Sequence, residues 1–202
     1  MDATIFVTGF SLGFSLILAI GAQNAFVLKQ GLKRQHVFAV CLVCALSDAL
    51  LITLGVTGFG TVVERYPNVE WIARYAGAAF LFWYAYLSFY NVLRRSHQLE
   101  PAAETEQSLM KSMLICLGLT WLNPHVYLDT LVLLGSISSQ YVPKQAWFGA
   151  GAVCASFVFF FSLGYGARLL APLFKQPKAW KVLELLVGCI MLTIAISLVV
   201  GS

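Results

Sequence analysis

The chain has 202 residues, of which 59% are hydrophobic and only 11% charged, with a mean hydropathy of +0.80. A soluble domain of this length could not cover itself with so few charges, and spans with short loops leave no room for a separate soluble catalytic domain. The net charge of +4 is no nucleic-acid signal, because the basic residues sit at the ends of apolar stretches rather than in one patch.

The fold class expected is an all-α membrane protein. A helix needs about 20 apolar residues to cross the hydrocarbon core, and six stretches qualify: roughly 4–28, 37–59, 69–92, 112–136, 146–170 and 180–200. Their apolar runs are continuous and lack the period-two alternation of barrel strands. The N-terminus has no basic leader region or cleavage site, so the first stretch reads as a retained span. Lys and Arg set the orientation. Links one, three and five carry ten of them, including Lys29, Lys33 and Arg34 in the first, against Arg65, Arg74 and Lys144 on the other side. The positive-inside rule then places both termini outside. Tyr66, Trp71, Tyr141, Trp147 and Trp180 suit interfacial anchors.

The whole chain, 1–202, reads as one transmembrane domain. A first repeat covers about 1–93, a flexible cytoplasmic link with Pro101 about 94–111, and a second repeat about 112–202. Leu54-Gly-Val-Thr-Gly-Phe-Gly60 is echoed by Leu163-Gly-Tyr-Gly166, and Asn24 by Asn123. Three spans per half place the halves in opposite orientations, so six transmembrane helices form two inverted three-helix repeats.

Two acids lie deep in apolar spans, Asp48 and Asp129. A carboxylate at that depth costs roughly 2.5–3.5 kcal/mol on insertion scales, and is retained where it meets a partner, a wet cavity or a transported cation. Arg74 is the base best placed to pair with either acid; the other reading is an acid that exchanges a proton for a substrate cation. Two segments interrupt the apolar pattern. Gly21-Ala-Gln23-Asn24 brings amides and a permissive backbone, although without a proline a helix break there rests on Gly21 alone. Thr120-Trp-Leu-Asn123-Pro124-His125 contains a proline that removes the helical donor to the Thr120 carbonyl. Freed backbone groups at such depth are tolerated where protein, side chains or water replace the lost bonds, and transporters bind substrate at such breaks. Against this stands a plain kink at Pro124 and an Asn24 that only glues helices. His125 could relay protons or simply cap carbonyls. The cysteines at 41, 44, 116, 154 and 189 read as small buried core residues; Cys41-Leu-Val-Cys44 is a weak C-x-x-C match inside an apolar helix. No P-loop, G-x-S-x-G or H-E-x-x-H pattern is present, so nothing points to an enzyme, a metal or a cofactor.

Gly21-Ala-Gln-Asn-Ala-Phe-Val-Leu-Lys-Gln-Gly31 and Thr120-Trp-Leu-Asn-Pro-His-Val-Tyr-Leu-Asp129, with the Ser47-Asp48 pair, resemble the lysine exporter (LysE) family and its arginine-exporter branch. The resemblance runs over essentially the whole chain. It implies export of L-arginine and/or L-lysine from the bacterial cytoplasm across the inner membrane, coupled to protons or the membrane potential. It also implies a substrate path lined by Gln23, Asn24, Asp48, Asn123, Pro124 and Asp129. Ala22 stands where that family usually has proline. The rival expectations are an exporter of neutral amino acids or related metabolites, a thiol–disulfide carrier using Cys41 and Cys44, and a passive channel. Membrane lipid is the surrounding partner, and small residues such as Gly149-Ala-Gly151 suit helix contacts within one chain or across a homodimer.

Overall fold

A computed structural model describes residues 2–18, 21–58, 67–94 and 107–200. The described residues form helices joined by short turns, without strands. In chain order these are α1 (Asp2–Leu18), α2 (Ala22–Lys33), α3 (Val37–Val56), α4 (Pro67–Arg94), α5 (Leu109–Trp121) and α6 (Pro124–Tyr127). A π-helical segment, Leu128–Leu133, leads into α7 (Leu134–Ser138) and a 3₁₀ turn, Ser139–Tyr141. Then come α8 (Gln145–Gly166), two 3₁₀ turns and α9 (Pro177–Val200).

Among the described residues, four helical stretches are long and apolar enough to cross a membrane: Val37–Val56, Arg74–Leu93, Gln145–Leu170 and Lys178–Val200. Twenty residues at 1.5 Å each give α3 a length of about 30 Å, matched to the hydrocarbon core. The first expected span, 4–28, is not one helix. It divides into α1 and α2, which meet at 81° and count as one crossing only if the bent pair is taken together. The fourth, 112–136, is also divided: α5 is 13 residues long, and the chain breaks at Leu122 and Asn123. Arg65, Tyr66, Arg95, Pro101 and most of the link lie outside the described residues, as does the side chain of Trp71.

The core is built around α8, which packs on α1, α2 and α3, while α9 packs on α4. Contact between α1 and α8 depends on glycine. A Cβ on Gly9 would meet the Phe148 backbone, and one on Gly151 would meet the backbone of Phe6 and Phe10. The small residues of Gly149-Ala-Gly151 are thus used inside the chain, Gly149 facing Val56 and Gly151 facing α1. Of the five cysteines, Cys41, Cys44 and Cys116 are buried, but Cys154 is half-buried and Cys189 exposed. The last two correct the expectation of five core thiols: an apolar stretch has a lipid face as well as a packed one.

One charge is also relocated. Lys29 is not a loop residue but the eighth position of α2, buried and ion-paired with Glu184 of α9 at 2.7 Å. The loop that follows turns through left-handed residues at Arg34 (φ 56°) and His36 (φ 51°). His36 Nε2 lies 2.8 Å from the Gln107 carbonyl, which ties this turn to the start of α5.

Candidate functional site

Each break is held open by an asparagine. At the first, Gly21 is extended (φ −109°, ψ 174°) and caps α2, while Asn24 Nδ2 donates to the Ile17 carbonyl at 2.7 Å. Ile17 lies in the last turn of α1, where carbonyls have no helical donor of their own. The amide therefore supplies the bond that a continuous helix would have made, so the break needs no proline at position 22. At the second, Pro124 lacks an N–H and disfavours helical backbone at the residue before it; Asn123 is accordingly extended (φ −99°, ψ 107°). The orphaned carbonyls of α5 find new donors. Thr120 accepts from the Asn123 N–H at 3.4 Å, and Trp121 from the Tyr127 hydroxyl at 2.6 Å. Asn123 Oδ1 caps the His125 N–H at 3.2 Å. The two asparagines work in opposite directions, one back to the preceding helix and one forward to the next.

The two breaks open onto one cavity of about 340 Å³. Gly21, Gln23 and Asn24 line it from the first break, Asn123 and His125 from the second, and Asp48 and Asp129 from α3 and the π segment. Pro124 is buried behind the break and does not line it. The volume lies at the low end of the roughly 300–1,000 Å³ typical of small-molecule sites.

Asp48 is 5% exposed and accepts a hydrogen bond from Ser156 Oγ at 2.8 Å. Asp129 is half-buried on the π segment, one turn from His125, whose side chain is exposed. Among the described residues no cation forms an ion pair with either acid, and Arg74 pairs with neither. The alternative of an acid paired with Arg74 is therefore not realised. Gln23 Nε2 is buried beside the same cavity with no oxygen acceptor and faces the Cys44 thiol, a weak acceptor. The thiols do not form a C-x-x-C couple: Cys41 Sγ donates to the Phe160 carbonyl at 3.1 Å, and Cys44 Sγ lies 3.0 Å from Cys116 on α5.

Sequence reasoning missed several supports of this site. Ser156 is a small polar residue between the apolar Ala155 and Phe157 of α8, and that serine is the available signal. Trp121 Nε1 donates to Ser47 Oγ at 3.2 Å, pinning the end of α5 beside Asp48. Close approach of α3 to the π segment depends on Gly55, where a Cβ would strike the Thr130 carbonyl, and on Gly135, which faces Gly55 in turn. Single-turn π segments are frequent at functional sites; here one carries Asp129 to the cavity wall.

A family model described as LysE type translocator matches residues 14–202. The chain belongs to the LysE family. Among its LysE-type relatives, the arginine exporter protein ArgO of Serratia proteamaculans is 42% identical over 195 residues, covering 96% of this chain and 95% of the relative. The arginine exporter protein ArgO of Escherichia coli K12 is 40% identical, covering 94% and 90%. A Mycobacterium tuberculosis chain assigned, by name alone, as an amino-acid transporter is 43% identical over 188 residues, covering 93% of each. No solved structure matches the chain. Membership in a translocator family, with several apolar helices long enough to cross, fits a multi-pass inner-membrane amino-acid transporter.

Proposed function

We propose that this LysE-family chain exports basic amino acids, L-arginine and/or L-lysine, from the cytoplasm in exchange for protons. The carrying observation is the single cavity that brings Asp48 and Asp129 together with the amides of Gln23 and Asn123, with no ion-paired cation on either acid among the described residues. A basic amino acid supplies what this arrangement lacks: two cationic groups for the carboxylates, and a stronger acceptor, its carboxylate, for the Gln23 amide beside the Cys44 thiol. Relatives named as arginine exporters support arginine as one such substrate.

Energetics favour antiport. Moving one positive charge outward against a negative interior costs about 2.3 kcal/mol per 100 mV, so the membrane potential alone opposes export. Exchange for one proton makes the cycle electrically neutral. Asp48 and Asp129 supply the exchange, because a carboxylate that holds a cation cannot also hold a proton; His125, beside Asp129, is the third candidate carrier. In efflux from proteoliposomes preloaded with labelled arginine, lysine or leucine, an inward proton gradient should accelerate loss of the basic amino acids and leave leucine behind. Leucine efflux in place of arginine would overturn the reading in favour of a neutral-substrate exporter. Arginine loss that ignores the gradient and shows no counterflow would mark a passive channel.

Two broken segments, each capped by an asparagine, support the inverted-repeat plan, each counting as one crossing. With α3, α4, α8 and α9 that would give six crossings and both termini on one side, which the basic links favour as the outside. Alkaline-phosphatase fusions at the two ends are expected to be active at both. Activity at one end only would show that a bent segment re-enters, leaving five crossings.

A further inference from the structure

A second intramembrane acid site lies outside the cavity, where α2, α4 and α9 meet. Glu184 is 1% exposed, and its two carboxylate oxygens lie 2.7 and 2.9 Å from Lys29 Nζ. That ammonium also stands over the Tyr84 ring, 5.8 Å from its centroid. A carboxylate beside an aromatic face is the chemistry that binds an alkylammonium or guanidinium ion. One turn further along both helices another basic side chain meets an aromatic face, Lys33 standing 5.8 Å from the Trp180 ring centroid. Toward the other end of α2 lie Gln23 and Asn24, on the cavity wall. At 1.5 Å per residue, Lys29 stands about 9 Å from Gln23 along the helix axis. Acid or aromatic positions that each hold a basic side chain thus run along the α2–α9 contact from the basic Lys33-Arg34 turn toward Asp48 and Asp129.

Stability alone does not call for the pair. A buried ion pair commonly does no better than well-packed apolar residues of the same volume, because desolvation cancels the attraction. Its value lies in exchangeability: one cation can leave only as another arrives. We propose that Glu184 and Tyr84 form a second site for an alkylammonium or guanidinium group on the transport path, filled in this conformation by the chain's own Lys29 and surrendered by it to an incoming basic substrate. The exchange would free α2 from α9 as the substrate passes, coupling entry to movement of the helix that carries Gln23 and Asn24. This inference rests on the reading of the chain as a basic amino-acid exporter.

The test uses the full wild-type chain in lipid nanodiscs, with labelled L-arginine binding and reductive methylation of lysines measured on the same sample. Lys144, whose side chain is 50% exposed, serves as the internal reference. Lys29 should resist methylation without ligand and become reactive, severalfold, as arginine saturates. Arginine binding with Lys29 still protected would overturn the inference and leave the exporter reading standing; absence of any arginine binding would overturn both. As a second measurement, Lys29→Ala removes the competing ammonium, so the second arginine per chain should bind at severalfold lower concentration than in wild type with the number bound at saturation unchanged, and Lys29→Ala/Glu184→Gln should lose that second arginine. A second arginine that binds no more tightly in Lys29→Ala than in wild type, or that persists in the double variant, would equally overturn it.

Discussion

Asp48→Asn should abolish high-affinity arginine binding while leaving the fold intact. Asparagine has the shape of aspartate, and its side-chain oxygen can still accept the Ser156 hydroxyl that meets Asp48 at 2.8 Å. The charge it removes is buried and has no ion-pair partner among the described residues, so thermal stability should hold or rise. Losing one partner of a desolvated charge pair costs about 2–5 kcal/mol, so arginine affinity should fall on the order of 30-fold or more. In the wild type, arginine binding should weaken as pH falls, because proton and cation compete for the same oxygens. That dependence should shrink in Asp48→Asn. Calorimetric titration at several pH values decides the matter. Unchanged affinity combined with loss of proton-driven transport would assign Asp48 to proton carriage alone and revive the neutral-substrate rival.

Hydropathy made much of this architecture legible. Spans expected at 37–59, 69–92, 146–170 and 180–200 correspond to Val37–Val56, Pro67–Arg94, Gln145–Gly166 and Pro177–Val200, because a continuous apolar run of that length has few other stable forms in lipid. The site residues also stand out locally: an acid or amide amid apolar neighbours is conspicuous without any structure. Features created by tertiary contact stayed hidden. Gly21–Asn24 contains no helix breaker as strong as proline, and the α1–α2 break depends on Asn24 reaching seven residues back to Ile17. Lys29 looked like a loop charge because it follows the apolar run that ends at Leu28, and Glu184, four residues into the expected span 180–200, carries no signal of its own. Only the meeting of α2 with α9 makes them a pair. The π segment is equally invisible in Leu128–Leu133, whose composition suits an ordinary helix; its widened turn goes with the close approach of Gly55 and Gly135.

That approach sets up the second large effect. Gly55→Val should destroy transport although Gly55 does not line the cavity. A Cβ at Gly55 would strike the Thr130 carbonyl and come within 3.0 Å of Leu131 Cα, and these are backbone atoms that cannot rotate away. The π segment must then move off α3, carrying Asp129 away from Asp48. Overpacking of this kind costs typically 1–3 kcal/mol, which should appear as a lower melting temperature in detergent. The functional loss should be larger than that strain suggests, because a site tuned to two carboxylates depends on their separation: about 1 Å of misplacement can cost on the order of 100-fold in rate. Gly149→Ala is the matched control. Its added methyl meets only the Val56 side chain, at 3.2 Å, which can turn aside, so both stability and arginine efflux should stay near wild type. If Gly55→Val transports as well as Gly149→Ala, the spacing of α3 from the π segment does not set the geometry of the two acids, and the cavity's charge arrangement must be held by other contacts.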